Sequence, residues 1–454
     1  MRDLGPRPPR LPRLSLLALA LGLVVLSALV AVSCARTDAS PAGGESGSPA
    51  PHTAQGPAPI GSGGVRLRRV DGGSRYYAKF PNSLPSDPSY FPVGVWFESV
   101  ISRSDVALDK AAGINLYVAL TDTSRLPLIS ATGMKVIAQH EDWLERADAR
   151  GSEAIAGWVV SDEIDMQMAA REAVARLKSI RASLPTGDGR LRYNNFGKGV
   201  TFWNTDAEAT RYVNGFQDVV SADNYWFTDK DICGYSQGGV LFATHGRRLT
   251  ATRCHRAANY GRTVDRLRRL MRPPGKYPVW SFVEVGHPFT NADWPSIAPT
   301  EVSAAVWSGI IHGARGVVYF NHSFGGPTPT QHALRGRAYA AVRAEVARTN
   351  VRIRGLAPVL NAPFADGLVS TTSPIDTMAK YSGGQFYIFA GSRAPRSQNA
   401  TFRVPCTGDA TVTVVDENRT VSLTGGSFTD SFADGNAVHI YRIDGGSTCG
   451  LPAP

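Results

Sequence analysis

Residues 154–163 have the sequence AIAGWVVSDE, a short run of small and apolar side chains that stops at Ser161, Asp162 and Glu163. Residues 278–284, with the sequence PVWSFVE, repeat this arrangement and stop at Glu284. A continuous apolar run of about four to eight residues is typical of a strand that is buried on both faces. We therefore expect two buried parallel strands, each with a glutamate at its carboxyl end.

Eight such runs occur within residues 76–360, and helix-like stretches such as 169–184, 260–271 and 300–312 lie between them. The runs span residues 92–97, 114–120, 134–139, 154–160, 191–195, 219–225, 277–285 and 316–320. Strands that alternate with helices indicate βα units and a parallel sheet. The number and total length of these units predict an α/β fold, a (β/α)8 TIM barrel. A doubly wound open sheet is the alternative, but no glycine-rich phosphate turn follows the first run.

The chain after residue 360 has a different pattern, in which apolar and polar residues alternate and turn residues separate short segments. The segments 385–390, 400–404, 410–415 and 437–442 are the clearest. Alternation with a period of two is typical of antiparallel strands with one buried face. The sequence therefore predicts a C-terminal antiparallel β-sandwich domain over residues 361–454.

The N-terminus resembles an export signal. Four arginines precede an apolar run over residues 14–32, and Ser33 and Cys34 follow it. The segment 31–34 resembles a bacterial lipobox, which implies cleavage before Cys34 and acylation of that cysteine. A plain signal peptide and an uncleaved anchor are the alternatives. Residues 35–75, rich in Gly, Ser, Pro and Ala, are expected to be a disordered linker between membrane and enzyme.

Cysteine usage agrees with an exported protein, and the charge gives no reason to expect a nucleic-acid partner. The formal net charge is +10, but no nucleic-acid-reading motif accompanies the basic residues, so they are expected to be solvated faces. The cysteines other than Cys34 lack C-x-x-C spacing, which disfavours zinc. Three pairings are open, and we favour Cys233 with Cys254 and Cys406 with Cys449, because each pair then lies within one predicted domain.

The carboxyl ends of the predicted strands carry polar residues, and in such barrels the active site lies at that face. Glu163 and Glu284 are the candidates for catalysis, because glycosidic cleavage needs two carboxyl groups that flank the bond. Candidate substrate contacts are the remaining polar and aromatic residues at the strand ends, namely Trp96, Glu98, His140, Asp162, Asn194, Asn195, Asp223, Tyr225, Trp226 and Asn321. Tyr225 is also a candidate donor to a nucleophilic glutamate, which it would keep ionised.

Glutamates after the fourth and seventh strands resemble the largest clan of retaining glycoside hydrolases. The resemblance implies that Glu163 is the acid/base and Glu284 the nucleophile of an exported enzyme that cleaves O-glycosidic bonds with retention. The clan usually has Asn before the acid/base, where this chain has Asp162. The expected partner is an oligosaccharide or polysaccharide, and the expected anchor is a lipid on Cys34.

Other interpretations remain open at this stage. A glutamate without a catalytic role would form a salt bridge at the rim, and a tryptophan without a binding role would be part of a core. The polar residues at the strand ends would then be turn residues that hydrogen-bond to their own backbone. A non-catalytic carbohydrate-binding protein and a structural envelope lipoprotein are the rivals of the hydrolase. No metal site or cofactor is predicted, and the sugar, the linkage and the oligomeric state are left open.

Overall fold

The computed structural model describes residues 64–234, 249–250, 253–326, 328–444 and 449–451, and all of them belong to one compact unit. In chain order the strands are β1 (Arg66–Arg68), β2 (Val93–Trp96), β3 (Leu116–Leu120), β4 (Lys135–Gln139), β5 (Ile155–Asp162), β6 (Leu191–Phe196), β7 (Val219–Ala222), β8 (Ser281–Glu284), β9 (Val317–Phe320), β10 (Phe364–Asp366), β11 (Ser370–Thr371), β12 (Ile375–Ser382), β13 (Gln385–Ser392), β14 (Gln398–Arg403), β15 (Ala410–Val414), β16 (Arg419–Leu423), β17 (Ser427–Phe432) and β18 (Val438–Asp444).

The α-helices that surround and connect the first strands are Arg103–Ala111, Leu126–Ser130, His140–Trp143, Ile164–Gln167, Ala170–Ser183, Asp206–Val213, Ala258–Leu270, Pro299–Ile311 and Ala340–Leu360. Short 3₁₀ turns cover Tyr76–Lys79, Ala333–Arg335 and Arg337–Tyr339, and a π-helical turn covers Gly199–Trp203. Apolar faces decide where these helices pack. In Pro299–Ile311, for example, nine residues from Val302 to Ile311 are buried.

Strands β2 to β9 form one parallel sheet that closes into a barrel. The strand order is β7-β6-β5-β4-β3-β2-β9-β8, so each strand lies beside its neighbours in the chain. A parallel bridge between Val220 and Val279 joins the two edges. Each of the eight predicted runs overlaps one of these strands, and the predicted (β/α)8 barrel is confirmed.

Large rings fill the barrel interior and identify which side chains point inward. Trp96 lies 5.5 Å from Phe282 and 6.3 Å from Tyr193, and Tyr193 lies 5.4 Å from Trp280, measured between ring centroids. These contacts join non-adjacent strands, which is possible only across the interior. Because side chains alternate along a strand, Glu284, two residues beyond Phe282, also leaves β8 on the inward side.

The remaining strands form the predicted antiparallel β-sandwich. One sheet has the order β1-β10-β12-β13-β18-β15-β16, and the other has the order β11-β14-β17. Phe402 stacks on Phe428 at 4.8 Å between the ring centroids within its core. Disulfide bonds join Cys406 to Cys449 and Cys233 to Cys254, which is the pairing that the sequence favours.

The predicted linker over residues 35–75 is wrong in its last part. Strand β1 pairs antiparallel with β10 in the larger sandwich sheet. Val65 and Val70, which flank β1, are buried. Two buried valines and a backbone ladder stabilise this short segment in spite of its polar surroundings. The earlier part of the linker, the export signal and Cys34 lie outside the described residues. Within the described residues, no helix is long and apolar enough to cross a membrane.

An ion-pair triad connects the barrel to the sandwich. His312 follows the helix Pro299–Ile311, and its Nδ1 lies 2.7 Å from Asp265 Oδ2, while its Nε2 lies 3.3 Å from Asp376 Oδ2 in β12. Burial lowers the pKa of His312, but the two carboxylates outweigh burial and raise that pKa to about 10. The imidazolium is thus the form that the folded protein favours.

Replacement of His312 by Asn is expected to lower the free energy of unfolding at pH 7 by about 1–3 kcal/mol, a figure reduced because Asp265 is half exposed. Because the pKa is raised on folding, the contribution is complete below the unfolded pKa of about 6.5 and is lost as the pH rises through 10. Urea unfolding of the wild type and His312→Asn at pH 6, 8 and 10 measures this contribution to the free energy of unfolding. A variant with the same decline toward pH 10 as the wild type would contradict the prediction.

Candidate active site

Glu163 lies at the carboxyl end of β5, immediately before the helix Ile164–Gln167, and has left-handed backbone angles of φ 47° and ψ 32°. Its N–H donates to the carbonyl oxygen of Asn195 at the end of β6, at 3.0 Å. A non-glycine residue rarely adopts this conformation, and such strain is concentrated at functional sites. Phe97, after β2, has the same feature with φ 53°. Two loops at this rim are therefore held in uncommon conformations.

A cluster of carboxyl groups surrounds Glu163. The carboxyl group of Asp223, after β7, lies within hydrogen-bonding reach of that of Glu163. Tyr225 donates its hydroxyl to Asp223 Oδ2 at 3.1 Å. Asn195 Nδ2 donates to Asp162 Oδ1 at 2.9 Å. Three neighbouring strand ends thus bring Asp162, Glu163 and Asp223 together, as the sequence predicts for polar strand ends in a barrel.

The environment of this cluster favours protonated acids. Burial, and then the negative charges of Asp162 and Asp165, raise the pKa of Glu163 to about 8. Burial and the charge of Glu163 raise the pKa of Asp223 well above its usual value. Lys198, whose Nζ lies 2.5 Å from Asp229 Oδ2, opposes this shift only in part. The cluster therefore retains a proton near neutral pH, which is what a general acid needs.

Glu284 lies in a separate set of hydrogen bonds at the end of β8. Tyr260 donates to Oε1 at 2.8 Å and to Oε2 at 2.7 Å, and Oε1 also accepts from Thr228 Oγ1 at 3.1 Å and from the N–H of Phe227 at 3.3 Å. The residue is fully buried. Burial raises its pKa to about 7, and the hydrogen bond from Tyr260 is the largest effect in the opposite direction. These donors stabilise the carboxylate.

Replacement of Tyr260 by Phe is expected to raise the pKa of Glu284 further, because it removes the donor to both carboxylate oxygens. A hydrogen bond to a charged group contributes about 1.5–3 kcal/mol, which corresponds to about one to two pH units. If ionised Glu284 is required for turnover, the acid limb of the kcat/KM profile moves to higher pH. The variant Tyr319→Phe, which loses a buried hydroxyl bonded to Asn350, is the control. An unchanged acid limb in Tyr260→Phe would contradict this prediction.

The predicted bond from Tyr225 to Glu284 is wrong, because Tyr225 donates to Asp223 and Tyr260 donates to Glu284. Tyr225 belongs instead to a group of aromatic side chains at the strand ends, which we term the aromatic wall. Its members are Phe97, Tyr225, Phe289, Phe320, His322 and Phe324. Tyr225 lies 5.1 Å from Phe320 and 6.0 Å from Phe289 between ring centroids. All members except His322 are partly exposed, so the wall offers apolar faces beside the carboxyl cluster.

Seven of the predicted substrate contacts are buried; one is Asp223 of the carboxyl cluster, and the other six bond to or pack against other parts of the protein. These six are Trp96, Glu98, Asn194, Asn195, Trp226 and Asn321. Trp226 donates its Nε1–H to Thr263 Oγ1 at 3.0 Å, and Trp96 packs inside the barrel. Asn194 Oδ1 accepts from Ser161 at 2.6 Å. Because parallel strands are buried on both faces, many polar atoms at their ends bond to neighbouring elements instead of a ligand.

Glu98 shows how such a buried residue is held. Its carboxylate accepts from Asn321 and His332, and it lies 3.2 Å from the guanidinium of Arg335. Burial raises its pKa, and these cations and donors act in the opposite direction. A buried carboxylate that is paired in this way fixes the segment 332–335 to the first strand end. His140 stays a candidate contact: it is half-buried and bonds to the carbonyl oxygen of Val159 at 2.9 Å. Asp162 is exposed and also stays a candidate.

One group of potential metal ligands occurs in the described residues. It consists of Cys233, Cys254 and His255, whose ligand atoms lie within 4.8 Å of one another. The two cysteines form a disulfide bond, so neither is available as a thiolate. The group does not belong to the carboxyl cluster, and we assign it to the stability of the loop after β7.

Tyr260, Lys198 and most of the aromatic wall are not among the residues that the sequence singles out. Phe97 and Phe320 end the predicted runs 92–97 and 316–320, so the same strand-end rule applies to both. Tyr260 lies in a helix, and its contact with Glu284 is a tertiary feature without a sequence signal. Lys198 lies in the segment after β6 and has no motif around it.

These features define a class of protein: a (β/α)8 barrel with a β-sandwich and a site of protonated carboxyl groups beside aromatic side chains at the carboxyl ends of the strands. No protein-family model matches the chain, and no curated protein matches it.

Several solved structures are similar to it. One is a glycoside hydrolase family 5 protein from Bacteroides vulgatus (TM-score 0.48, 11% identity, covering 80% of this chain and 91% of that one). An alpha-amylase from Geobacillus thermoleovorans complexed with acarbose has a TM-score of 0.47 and 9% identity, and covers 78% of this chain and 98% of its own. A GH30 endoxylanase from Clostridium papyrosolvens has a TM-score of 0.43 and 11% identity, and the match covers 78% of this chain and 96% of the endoxylanase. Similarities at this level do not assign the chain to a family.

Proposed function

We propose that the protein hydrolyses O-glycosidic bonds at the carboxyl ends of its barrel strands. The observation that carries this proposal is the contact between Glu163 and Asp223, whose environment keeps an acid protonated near neutral pH. An acid of this kind can protonate a leaving glycosidic oxygen. The partly exposed aromatic wall next to Asp223 supplies apolar faces of the sort on which sugar rings pack.

The proposed mechanism is a double displacement with net retention. Glu284 attacks the anomeric carbon while Glu163 donates its proton to the leaving oxygen, so that one C–O bond forms and the glycosidic C–O bond breaks. Glu163 then takes a proton from water, and the hydroxide oxygen displaces Glu284. The hydrogen bonds from Tyr260 and Thr228 support the ionised state that Glu284 needs. The mechanism requires the two carboxyl groups to lie about 5–5.5 Å apart in the complex.

A second candidate function is carbohydrate binding without hydrolysis. The complete burial of Glu284 favours it, because a carboxylate closed off by protein atoms and engaged by three residues also fits a purely structural role. In that case the aromatic wall and the carboxyl cluster would hold a glycan that is not cut.

We also propose that the protein is exported and anchored by a lipid on Cys34. The two disulfide bonds support export, since such bonds persist in oxidising compartments. The arginines and the apolar run before Cys34 support the same route.

The test is a screen of the chain from residue 35 onward, so that β1 is retained, against aryl glycosides and cell-wall polysaccharides. Hydrolysis that is lost in Glu163→Gln and Glu284→Ala supports the proposal, and proton NMR of the first product distinguishes retention from inversion. Glycan binding without product release in the wild type identifies the binding protein. Inverted product would contradict the role of Glu284 as nucleophile.

A further inference from the structure

Two acids from different strand ends meet at the centre of the site, the half-buried Glu163 and the buried Asp223. Glu163 follows β5 and Asp223 follows β7, and β6 lies between these strands in the sheet. Asp223 is 9% exposed, and its Oδ1 atom has no hydrogen-bond partner within the described residues, whereas Oδ2 accepts from Tyr225. An unsatisfied buried acceptor costs about 1–3 kcal/mol, so this atom needs a donor.

The approach of the two acids is built into the backbone. Glu163 has a left-handed backbone conformation, and its carboxyl group reaches the segment that follows β6. Gly197, directly after β6, leaves room for it and for Met166, since a Cβ at this position would overlap Met166 Sδ and lie 3.0 Å from Glu163 Oε1. The N–H of Gly197 donates to the carboxylate of buried Asp165, at 3.1 and 3.2 Å, which fixes the same segment. A side chain at residue 197 would displace Met166 and crowd the carboxyl group of Glu163.

The charged and titratable groups around the pair favour one retained proton. Asp162 and Asp165 face it from the β5 side and disfavour two carboxylates. Lys198 faces it from the β6 side, but its ammonium group also pairs with Asp229. Tyr225 faces it from the β7 side as a neutral donor, because burial raises the pKa of its hydroxyl. Two acids in contact in such a site cannot both ionise easily.

We propose that Asp223 and Glu163 share a single proton in a carboxyl–carboxylate hydrogen bond, and that Asp223 is the positioning residue that keeps this proton available at Glu163. The proton satisfies Asp223 Oδ1, which otherwise lacks a donor. The raised pKa of Glu163, about 8, and that of Asp223, higher than usual, agree with a pair that titrates as one unit.

The catalytic consequence rests on the proposed function. When the glycosidic oxygen takes the shared proton, both acids become carboxylates, and the proton of the attacking water then restores the pair. The instability of two adjacent carboxylates favours that return. Asp223 therefore acts through Glu163 and forms no bond to the substrate.

The first test does not depend on activity. Infrared difference spectra of the whole chain at pH 7 measure the C=O stretch of protonated carboxyl groups. We expect one protonated-carboxyl band in each of two difference spectra, the wild type minus Glu163→Gln and the wild type minus Asp223→Asn. Asp430→Asn is the control, because Arg419 and Tyr441 hold this buried sandwich carboxylate ionised, with its pKa below the usual value. The absence of a band in both acid differences would overturn the shared proton, and the second variant keeps the test valid if one fails to fold.

The second test uses the pH profile. In Asp223→Asn, the carboxylate that retains the proton is gone, so the pKa of Glu163 falls and the basic limb of kcat/KM moves to lower pH by about one unit or more. An unchanged basic limb would overturn the positioning role. If the infrared bands are present but no glycoside is cleaved by the wild type, the shared proton stands and the proposed hydrolase fails.

Discussion

Replacement of Glu163 by Gln is expected to lower kcat on alkyl glycosides by about 10²–10⁴-fold, the usual contribution of a general acid. Gln keeps the size of the side chain but has no proton to give to the leaving oxygen. A leaving group that is itself acidic needs little protonation, so the loss on 2,4-dinitrophenyl glycosides is expected to be much smaller. Steady-state kinetics on a series of leaving groups measures both effects.

The control for this series is Glu141→Gln, because Glu141 also follows a barrel strand but its carboxylate is 62% exposed and pairs only loosely, at 3.8 Å each, with His140 and Arg176. Its kcat is expected to stay within a factor of about two, as for most surface substitutions. An equal loss of kcat in Glu163→Gln on all leaving groups would contradict the acid role and would indicate a positioning or structural role instead.

The barrel could be predicted because its signal is local. Each of its strands is buried on both faces, so each appears in the sequence as an unbroken apolar run, and the helices between them keep their own period. The run 154–160, for example, contains most of β5, and 316–320 contains β9. Strand β1 could not be predicted, because three residues with two arginines carry no periodic pattern and their partner, β10, lies about 300 residues away.

The acids of the site could be predicted only as a set. The strand-end rule places Asp162, Glu163 and Asp223 at one rim, and the structure brings them together. The strand-end rule cannot distinguish a carboxyl group that faces the site from one that bonds to other parts of the protein. Glu98 follows its strand as Glu163 does, yet His332 and Arg335, more than 230 residues later, bind it. Such partners depend on loops whose conformation is set by tertiary packing.

Tryptophans were a misleading signal for sugar contacts. The two tryptophans among the predicted contacts, Trp96 and Trp226, are both buried, because a large apolar ring near a strand end contributes more by filling the barrel or the helix layer than by facing water. The partly exposed rings are mainly phenylalanines after β2, β8 and β9. A phenylalanine lacks a polar atom, so nothing in its chemistry separates a surface role from a core role in sequence.

Replacement of Glu284 by Ala is expected to lower kcat by about 10⁴-fold or more if Glu284 is the nucleophile. The same change leaves the hydroxyls of Tyr260 and Thr228 without their acceptor, which costs about 1–3 kcal/mol of unfolding free energy. A purely structural glutamate would also lose activity by this second effect. Loss of turnover alone therefore does not identify the nucleophile.

Sodium azide separates the two roles. In Glu284→Ala, azide enters the space of the missing carboxylate and attacks the anomeric carbon once, so an activated aryl glycoside is expected to yield a glycosyl azide of inverted configuration. In Glu163→Ala, the glycosyl–Glu284 ester still forms, and azide attack on it gives the retained configuration by two inversions. Proton NMR of the two azides distinguishes these products. A retained azide from Glu284→Ala, or no azide product while urea unfolding reports a folded protein, would exclude Glu284 as the nucleophile and leave it as the buried anchor of Tyr260.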